Sequence, residues 1–261
     1  MEFVSPKLDV VFKTMFVDNP DLLQSFISCA LNIDQKEIKD FQIMNSELPP
    51  EDIDGKFSRL DISLTIAGKL VNIEIQVRKY PDYKDRALFY WAKLFTSELK
   101  SGAEYGNLKQ AITINILDFN LFENRKNYYT EVLPIISDTG ELYSDKMSIR
   151  FYELRKVKPE EATDELGLWL RFFNAVSLED FEMLQNMGSV AVNKAVNVIY
   201  EMSADDRMRE RARIREKALH DEASALGNAR REGFAEGINS VLEKLLETGI
   251  ITKEQAKQFE N

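Results

Sequence analysis

The feature that most constrains the fold of this chain is a pair of short stretches in which apolar and polar residues alternate. The first covers residues 58–66 and the second residues 70–77, with Ala67 and Gly68 between them. Alternation with a period of two is typical of a β-strand that buries one face. A two-residue connection that contains glycine is typical of a tight hairpin turn. The sequence therefore predicts an antiparallel β-hairpin.

The turn also fixes which residues of the hairpin face each other. With Ala67 and Gly68 as the turn, Ile62 pairs with Ile73, and the apolar residues of both strands share one side of the sheet. A shift of one residue would turn one apolar set to the opposite face, so this register is strongly constrained. It places Asp61 opposite Glu74 on the polar side, with Cβ atoms about 4.5–5.5 Å apart.

Two opposed carboxylates on neighbouring strands need a physical explanation. At that distance they repel each other and the pKa of one is raised, and like charges that face each other destabilise a sheet. A divalent cation between Asp61 and Glu74 would remove the conflict, because carboxylate oxygens are ligands of such ions. The alternative is a polar strand face in contact with solvent, on which the two acids meet incidentally. The spacing alone leaves both interpretations open.

The remaining periodicities predict an α/β domain followed by helices. Two helices separated at Asn19-Pro20 precede the hairpin, a helix covers about residues 82–99, and two further strands cover residues 110–117 and 148–154. Helices around a small mixed sheet indicate one α/β domain over residues 1–155. A helical extension is predicted for residues 156–204 and a charged helical tail for residues 205–261. That tail is interpreted as a solvated helix, an oligomerisation arm or a DNA-contacting arm.

Composition excludes several kinds of chemistry. The chain has one histidine, His220, and one cysteine, Cys29. A Ser-His-Asp or Cys-His mechanism has no suitable partners, and a zinc site built from Cys and His is excluded by count. Any bound metal would therefore be held by oxygen ligands, which favours Mg²⁺, Mn²⁺ or Ca²⁺. We expect no transmembrane helix and no signal peptide, and a lone cysteine fits a reducing cytoplasm.

Several ordered blocks of the sequence resemble one known family. Asp61 followed by Glu74-Ile75-Gln76 resembles the PD-(D/E)XK motif, in which an acid on one strand precedes Glu-x-Lys or Glu-x-Gln on the next. Further blocks resemble the transposase-like, recombination-promoting nucleases of that superfamily. They are SPKLDVVFKTMF at 5–16, SRLDISL at 58–64, VNIEIQV at 71–77, RALFYWAKLF at 86–95 and ITINILDFNLF at 112–122.

The resemblance implies a restriction-endonuclease-like core and the activity of a metal-dependent DNA endonuclease linked to recombination or mobile elements. Asp61, Glu74 and the backbone carbonyl of Ile75 would hold Mg²⁺, with Mn²⁺ or Ca²⁺ as substitutes, and Asp9 would complete the metal shell. Gln76 would orient the attacking water or the substrate, the role usually given to the motif lysine. Because an amide is neutral, it cannot replace the charge of that lysine.

The expected partners are DNA, with no membrane, and a second copy of the chain bound through the C-terminal helices. Lys79, Arg86 and Lys93 are the residues expected to contact the DNA backbone. The net charge of −10 and the neutral Gln76 favour an alternative, a nuclease fold with little catalysis that binds DNA or protein. A cationic side chain already neutralising Asp61 and Glu74 would remove the basis for an enzyme assignment.

Overall fold

A six-stranded mixed sheet forms the centre of this computed structural model, which describes residues 3–38, 40–44, 62–97, 104–256 and 259. The strands are β1 (Phe41–Ile43), β2 (Ile62–Ile66), β3 (Lys69–Gln76), β4 (Ala111–Leu117), β5 (Tyr129–Val132) and β6 (Met147–Glu153). Their order is β1-β2-β3-β4-β6-β5. Strands β3, β4 and β6 run parallel to one another, and the other neighbours are antiparallel.

The β2–β3 hairpin has the register that the sequence predicts. Ile62 pairs with Ile73 and Ile66 pairs with Lys69, which leaves Ala67 and Gly68 as the turn. Both turn residues have positive φ, 48° at Ala67 and 71° at Gly68. Positive φ at both central positions is the requirement of a type I′ turn, whose twist matches that of the flanking strands.

Helices cover both faces of the sheet. Helices α1 (Asp9–Asp18) and α2 (Pro20–Leu31) separate at Asn19-Pro20 as predicted. The guanidinium of Arg150 and the hydroxyl of Tyr152, both on β6, donate to the carbonyl of Ala30 near the end of α2. Helix α3 (Tyr83–Thr96) packs on the opposite face, where Tyr83 and Ala87 join a buried cluster with residues of β4, β6 and the loop after β4.

The predicted helical extension consists of α4 (Glu165–Asn174), α5 (Leu178–Gln185) and α6 (Val190–Ala204). It packs against α1 and α2 through an aromatic cluster in which Trp169 and Phe173 contact Phe16 and Phe26. This shared apolar core explains why Met1–Ala212 forms one compact unit. The predicted divisions at residues 155 and 204 stay predictions.

A second compact unit covers Arg213–Asn261. Its described residues include the greater part of helix α7 (Asp206–Glu247) and the short helix α8 (Lys253–Ala256). Among the described residues, no helix combines the length and the apolar character that crossing a membrane requires.

The edge strands β1 and β5 were not predicted. β1 has three residues and β5 has four, which is too short for an alternation of apolar and polar side chains to be recognised in the sequence. The half-buried Cys29 lies in α2 rather than fully inside the core, and burial together with the charges of Glu165 and Asp164 raises the pKa of its thiol to about 11. A thiol with so high a pKa is a poor nucleophile at neutral pH.

Candidate active site on strand β3

Strand β3 directs a row of polar side chains to the face of the sheet that α3 covers. Because side chains alternate along a strand, Asn72, Glu74 and Gln76 point to one face while Ile73 and Ile75 point to the other. Glu74 pairs with Asn115 on the parallel neighbour β4. The carboxylate of Glu74 is only 4% exposed, so the strand buries an ionisable group within a polar part of its face.

Two donors meet on one oxygen of that carboxylate. The side-chain amide of Gln76 donates to Oε1 of Glu74 at 2.5 Å, and Nη2 of Arg86, on α3, donates to the same atom at 3.2 Å. No described residue donates a hydrogen bond to Oε2. Glu74 is therefore oriented from one side, and its second oxygen is the one to which a further ligand could bind.

The electrostatics of Glu74 reflect opposing effects. Burial raises the pKa of its carboxyl group, while the positive charge of Arg86 and the hydrogen bonds from Gln76 and Arg86 lower it, and burial has the larger effect. A buried carboxylate with a raised pKa is typical of functional sites, where a group is held in an unfavourable environment until a ligand binds.

Arg86 is held in place by aromatic rings as well as by Glu74. Its guanidinium carbon lies 5.7 Å from the ring centroid of Tyr80 and 5.3 Å from that of Tyr90. Tyr90 is four residues further along α3, so the two side chains share one face of the helix. The side chain of Arg86 is 27% exposed, which leaves part of the cation accessible from solvent.

The predicted site residues are only partly brought together within the described residues. Glu74 and Gln76 are in contact, but Asp61 lies outside the described residues. Asp9 begins α1 two positions after Lys7, whose Nζ is 3.0 Å from Asp118 at the carboxyl end of β4. The backbone amide of Asp118 donates to the carbonyl of Gln76 at 2.8 Å. This chain of contacts places the start of α1 at the same end of the sheet as Gln76.

The three cations expected to contact DNA occupy different environments. Lys79 is 2.7 Å from Oε1 of Glu123 and 43% exposed. Lys93 is exposed in the last turn of α3. Arg86 instead contacts Glu74, so one of the three predicted metal-binding acids has a cationic partner. This ion pair counts against a metal assignment for Glu74 in the arrangement described.

Sequence reasoning missed the contacts that α3 makes with the polar face of β3 and β4. Tyr83 Oη donates to Oδ1 of Asn115 at 3.1 Å, and Arg86 reaches Glu74 one turn later. The spacing of Tyr83, Arg86 and Tyr90 by three and four residues signals a common helical face. A prediction that this face covers the polar side of the hairpin would have found the contact.

Comparison with known proteins identifies the family. Residues 6–229 match the model of the PD-(D/E)XK nuclease family transposase. The chain belongs to this family. The mixed sheet with its flanking helices and helical C-terminus agrees with a restriction-endonuclease-like fold. No curated protein and no solved structure matches the chain.

Membership in this nuclease family implies a nuclease- or transposase-related function, DNA as substrate and a divalent metal. Within the described ranges, no group of three or more Asp, Glu, His or Cys side chains could hold a metal ion. The oxygen donor that is present fits a hard cation such as Mg²⁺, because Glu74 is a buried carboxylate with both described donors on Oε1.

Proposed function

We propose that this protein is a metal-dependent DNA endonuclease associated with recombination or mobile elements. The observation that carries the proposal is the buried carboxylate of Glu74, which Gln76 contacts from two residues further along β3. That pair reproduces the second half of the motif of a family to which the chain belongs. Burial of this acid costs hydration free energy, which the ion pair with Arg86 and the hydrogen bond from Gln76 offset on one oxygen only.

In the proposed site Asp61, Glu74 and the backbone carbonyl of Ile75 would hold Mg²⁺, Asp9 would be a further ligand, and Mn²⁺ or Ca²⁺ would be substitutes. This role for Asp61 requires the pairing of β2 with β3 to extend by one residue before Ile62, so that Asp61 pairs with Glu74. A divalent ion supplies Lewis acidity, which polarises a phosphodiester and lowers the pKa of a bound water. Gln76 positions the carboxylate of Glu74 through its amide.

The DNA backbone is the partner assigned to Lys79, Arg86 and Lys93. Contacts of Lys and Arg with phosphate fix the position of a duplex but do not read its sequence. Because the whole chain carries a net charge of −10, binding would depend on a local group of cations and would weaken steeply as salt increases. We further propose a cytoplasmic protein that self-associates through its C-terminal helices.

A second candidate is a nuclease fold that binds DNA or protein without appreciable catalysis. The ion pair between Arg86 and Glu74 favours it, because a neutralised acid attracts a metal less strongly. The neutral Gln76 favours it as well. The two candidates differ in one measurable property, the hydrolysis of phosphodiester bonds.

The experiment that separates them is nicking of supercoiled plasmid by the full-length protein with Mg²⁺ or Mn²⁺. We expect nicking that EDTA abolishes and that Asp61→Ala and Glu74→Gln each reduce by at least about 100-fold, the scale on which loss of a transition-state contact acts. Glu160→Gln is the matched control, because it removes one negative charge from an exposed acid. Each variant should retain the melting temperature of the wild type within a few degrees.

The results distinguish an endonuclease from a fold that only binds DNA or protein. Nicking that survives both Asp61→Ala and Glu74→Gln would refute the assigned site. A folded wild-type protein that nicks no DNA with either metal, but binds it, would support the second candidate.

A further inference from the structure

We infer that Arg86 serves the proposed nuclease site as the counter-ion of Glu74 and supplies the positive charge that the motif lysine would bring and that Gln76 lacks. The inference rests on the proposed function, because it assigns Glu74 to the metal. It differs from the role expected for Arg86 from the sequence, contact with the DNA backbone. The arginine serves as the resident counter-ion of Glu74 and competes with the divalent cation for that acid.

Glu74 accepts both of its described side-chain hydrogen bonds on the same oxygen. Gln76 Nε2 and Arg86 Nη2 both donate to Oε1 of Glu74, so one oxygen of this acid accepts from one neutral and one cationic donor. In a lysine-containing motif, the residue at position 76 would itself bring the positive charge. Here the amide of Gln76, on β3, donates the hydrogen bond, and Arg86, on α3, brings the positive charge.

Two aromatic rings contact the side chain of Arg86. The rings of Tyr80 and Tyr90 lie near the guanidinium, at 5.7 and 5.3 Å from its carbon. Aromatic rings stabilise a guanidinium through cation–π attraction, which gains strength when the cation is partly desolvated. Tyr80 and Tyr90 therefore help to hold the guanidinium beside the buried oxygen of Glu74.

The positive charge of Arg86 lies next to the acid that would bind the metal. Arg86 remains protonated at any pH at which a protein is folded, so its charge is a fixed property of the site. A unit charge near the cation's binding position opposes metal binding by Coulomb repulsion, an effect that is large in a poorly hydrated site. The same charge can stabilise the negative charge that develops on phosphate during hydrolysis. Arg86 should therefore weaken metal binding and accelerate cleavage.

The test measures these two properties separately in the full-length protein. Mn²⁺ is titrated by calorimetry in the absence of DNA, and plasmid nicking is measured at saturating Mn²⁺. The variants are Arg86→Met, Arg86→Lys, and Arg86→Met combined with Gln76→Lys. Lys84→Met is the matched control, because it removes a cation from the same helix whose Nζ lies 5.0 Å from the ring of Phe122 rather than near Glu74.

We expect Arg86→Met to bind Mn²⁺ about tenfold more tightly, because a repelling charge is removed, while nicking falls by about 100-fold. Arg86→Lys should keep wild-type Mn²⁺ affinity and part of the nicking rate. Adding Gln76→Lys to Arg86→Met should restore nicking, since the charge returns from the strand. Lys84→Met should change neither property.

An Arg86→Met protein that melts like the wild type but binds Mn²⁺ no more tightly, or nicks at the wild-type rate, would overturn the inference. If the wild type does not nick DNA but Arg86→Met binds Mn²⁺ more tightly, the endonuclease proposal fails and the role of Arg86 as counter-ion stands. If no variant binds Mn²⁺, both fail.

Discussion

Two buried glutamates on the same face of the sheet are stabilised in different ways. Glu153, at the end of β6, is fully buried and has partners on both oxygens. Its Oε1 accepts from the backbone amides of Leu121 and Phe122, and its Oε2 accepts from Lys156. Glu74 has both of its described donors on Oε1. The complete set of partners around Glu153 is typical of a structural acid, whereas the one-sided set around Glu74 is typical of an acid that receives a ligand.

This contrast gives a prediction about stability. Glu153→Ala should lower the free energy of unfolding by about 3–5 kcal/mol, because it leaves Lys156 as a buried charge without its partner and two backbone amides without an acceptor. Urea denaturation of the variant measures the change. Glu123→Ala is the matched control, since Glu123 belongs to an exposed ion pair with Lys79, and exposed pairs contribute little. Equal losses in the two variants would contradict the structural role of Glu153.

At the scale of elements, the hairpin was the most predictable part of the fold. Its apolar residues alternate along both strands, and its turn contains glycine, so pattern and turn chemistry agree on one register. The helix boundary at Asn19-Pro20 and the strands β4 and β6 followed from equally strong local signals. Strands β1 and β5 did not, because a three- or four-residue edge strand is defined by the neighbour with which it pairs rather than by its own residues.

The candidate site was predictable only for the two residues that lie on the hairpin strand β3. The placement of Glu74 and Gln76 on one face follows from the period of a strand, and the contact between them agrees with it. The contact of Arg86 with Glu74 depends on how α3 packs over the sheet, which local patterns do not determine. The pairing of Asp61 with Glu74 stays a prediction.

The turn of the hairpin provides a test at this scale. Gly68 has a φ of +71°, and a Cβ atom in the left-handed region is strained, so Gly68→Ala should lower the free energy of unfolding by about 1–2 kcal/mol. Ala67→Asn is the matched change, because Asn-Gly is the preferred sequence of a type I′ turn; it should leave stability unchanged or raise it. Both are measured by urea denaturation. A Gly68→Ala protein as stable as the wild type would contradict the turn type.

On the scale of the whole molecule, the chain divides inside helix α7 rather than at a loop. The side chains of Met208 and Ala212 are buried, and the first compact unit ends at Ala212. The predicted tail, residues 205–261, therefore includes the last residues of that unit. Truncation after Ala212 removes the second unit and keeps these two residues, whereas truncation after Ala204 deletes them.

The second unit carries an apolar stripe on α7. Phe234, Ile238, Val241 and Leu245 recur at intervals of three and four residues, which places them on one face of the helix. Phe234 is 71% exposed and Val241 56% exposed. They line an open groove together with Gly233, Gly237, Leu242 and two residues that follow α7, Ile251 and Phe259. Exposed apolar stripes of this kind mark interaction surfaces, because leaving them in water is unfavourable.

We expect a second copy of the chain to cover this stripe with its α7 antiparallel to the first. In such a pair the apolar side chains of the two α7 helices would meet and be removed from water.

Light scattering during size-exclusion chromatography tests this assembly in the full-length protein. Phe234→Glu combined with Val241→Glu should convert a dimer to a monomer at micromolar concentration, because it places charges within the apolar contact. Ala229→Glu is the matched control, since at 3.6 residues per turn it lies on the opposite side of the helix from Ile238. A wild-type protein that is monomeric, or a dimer that survives the double substitution, would contradict self-association through this stripe.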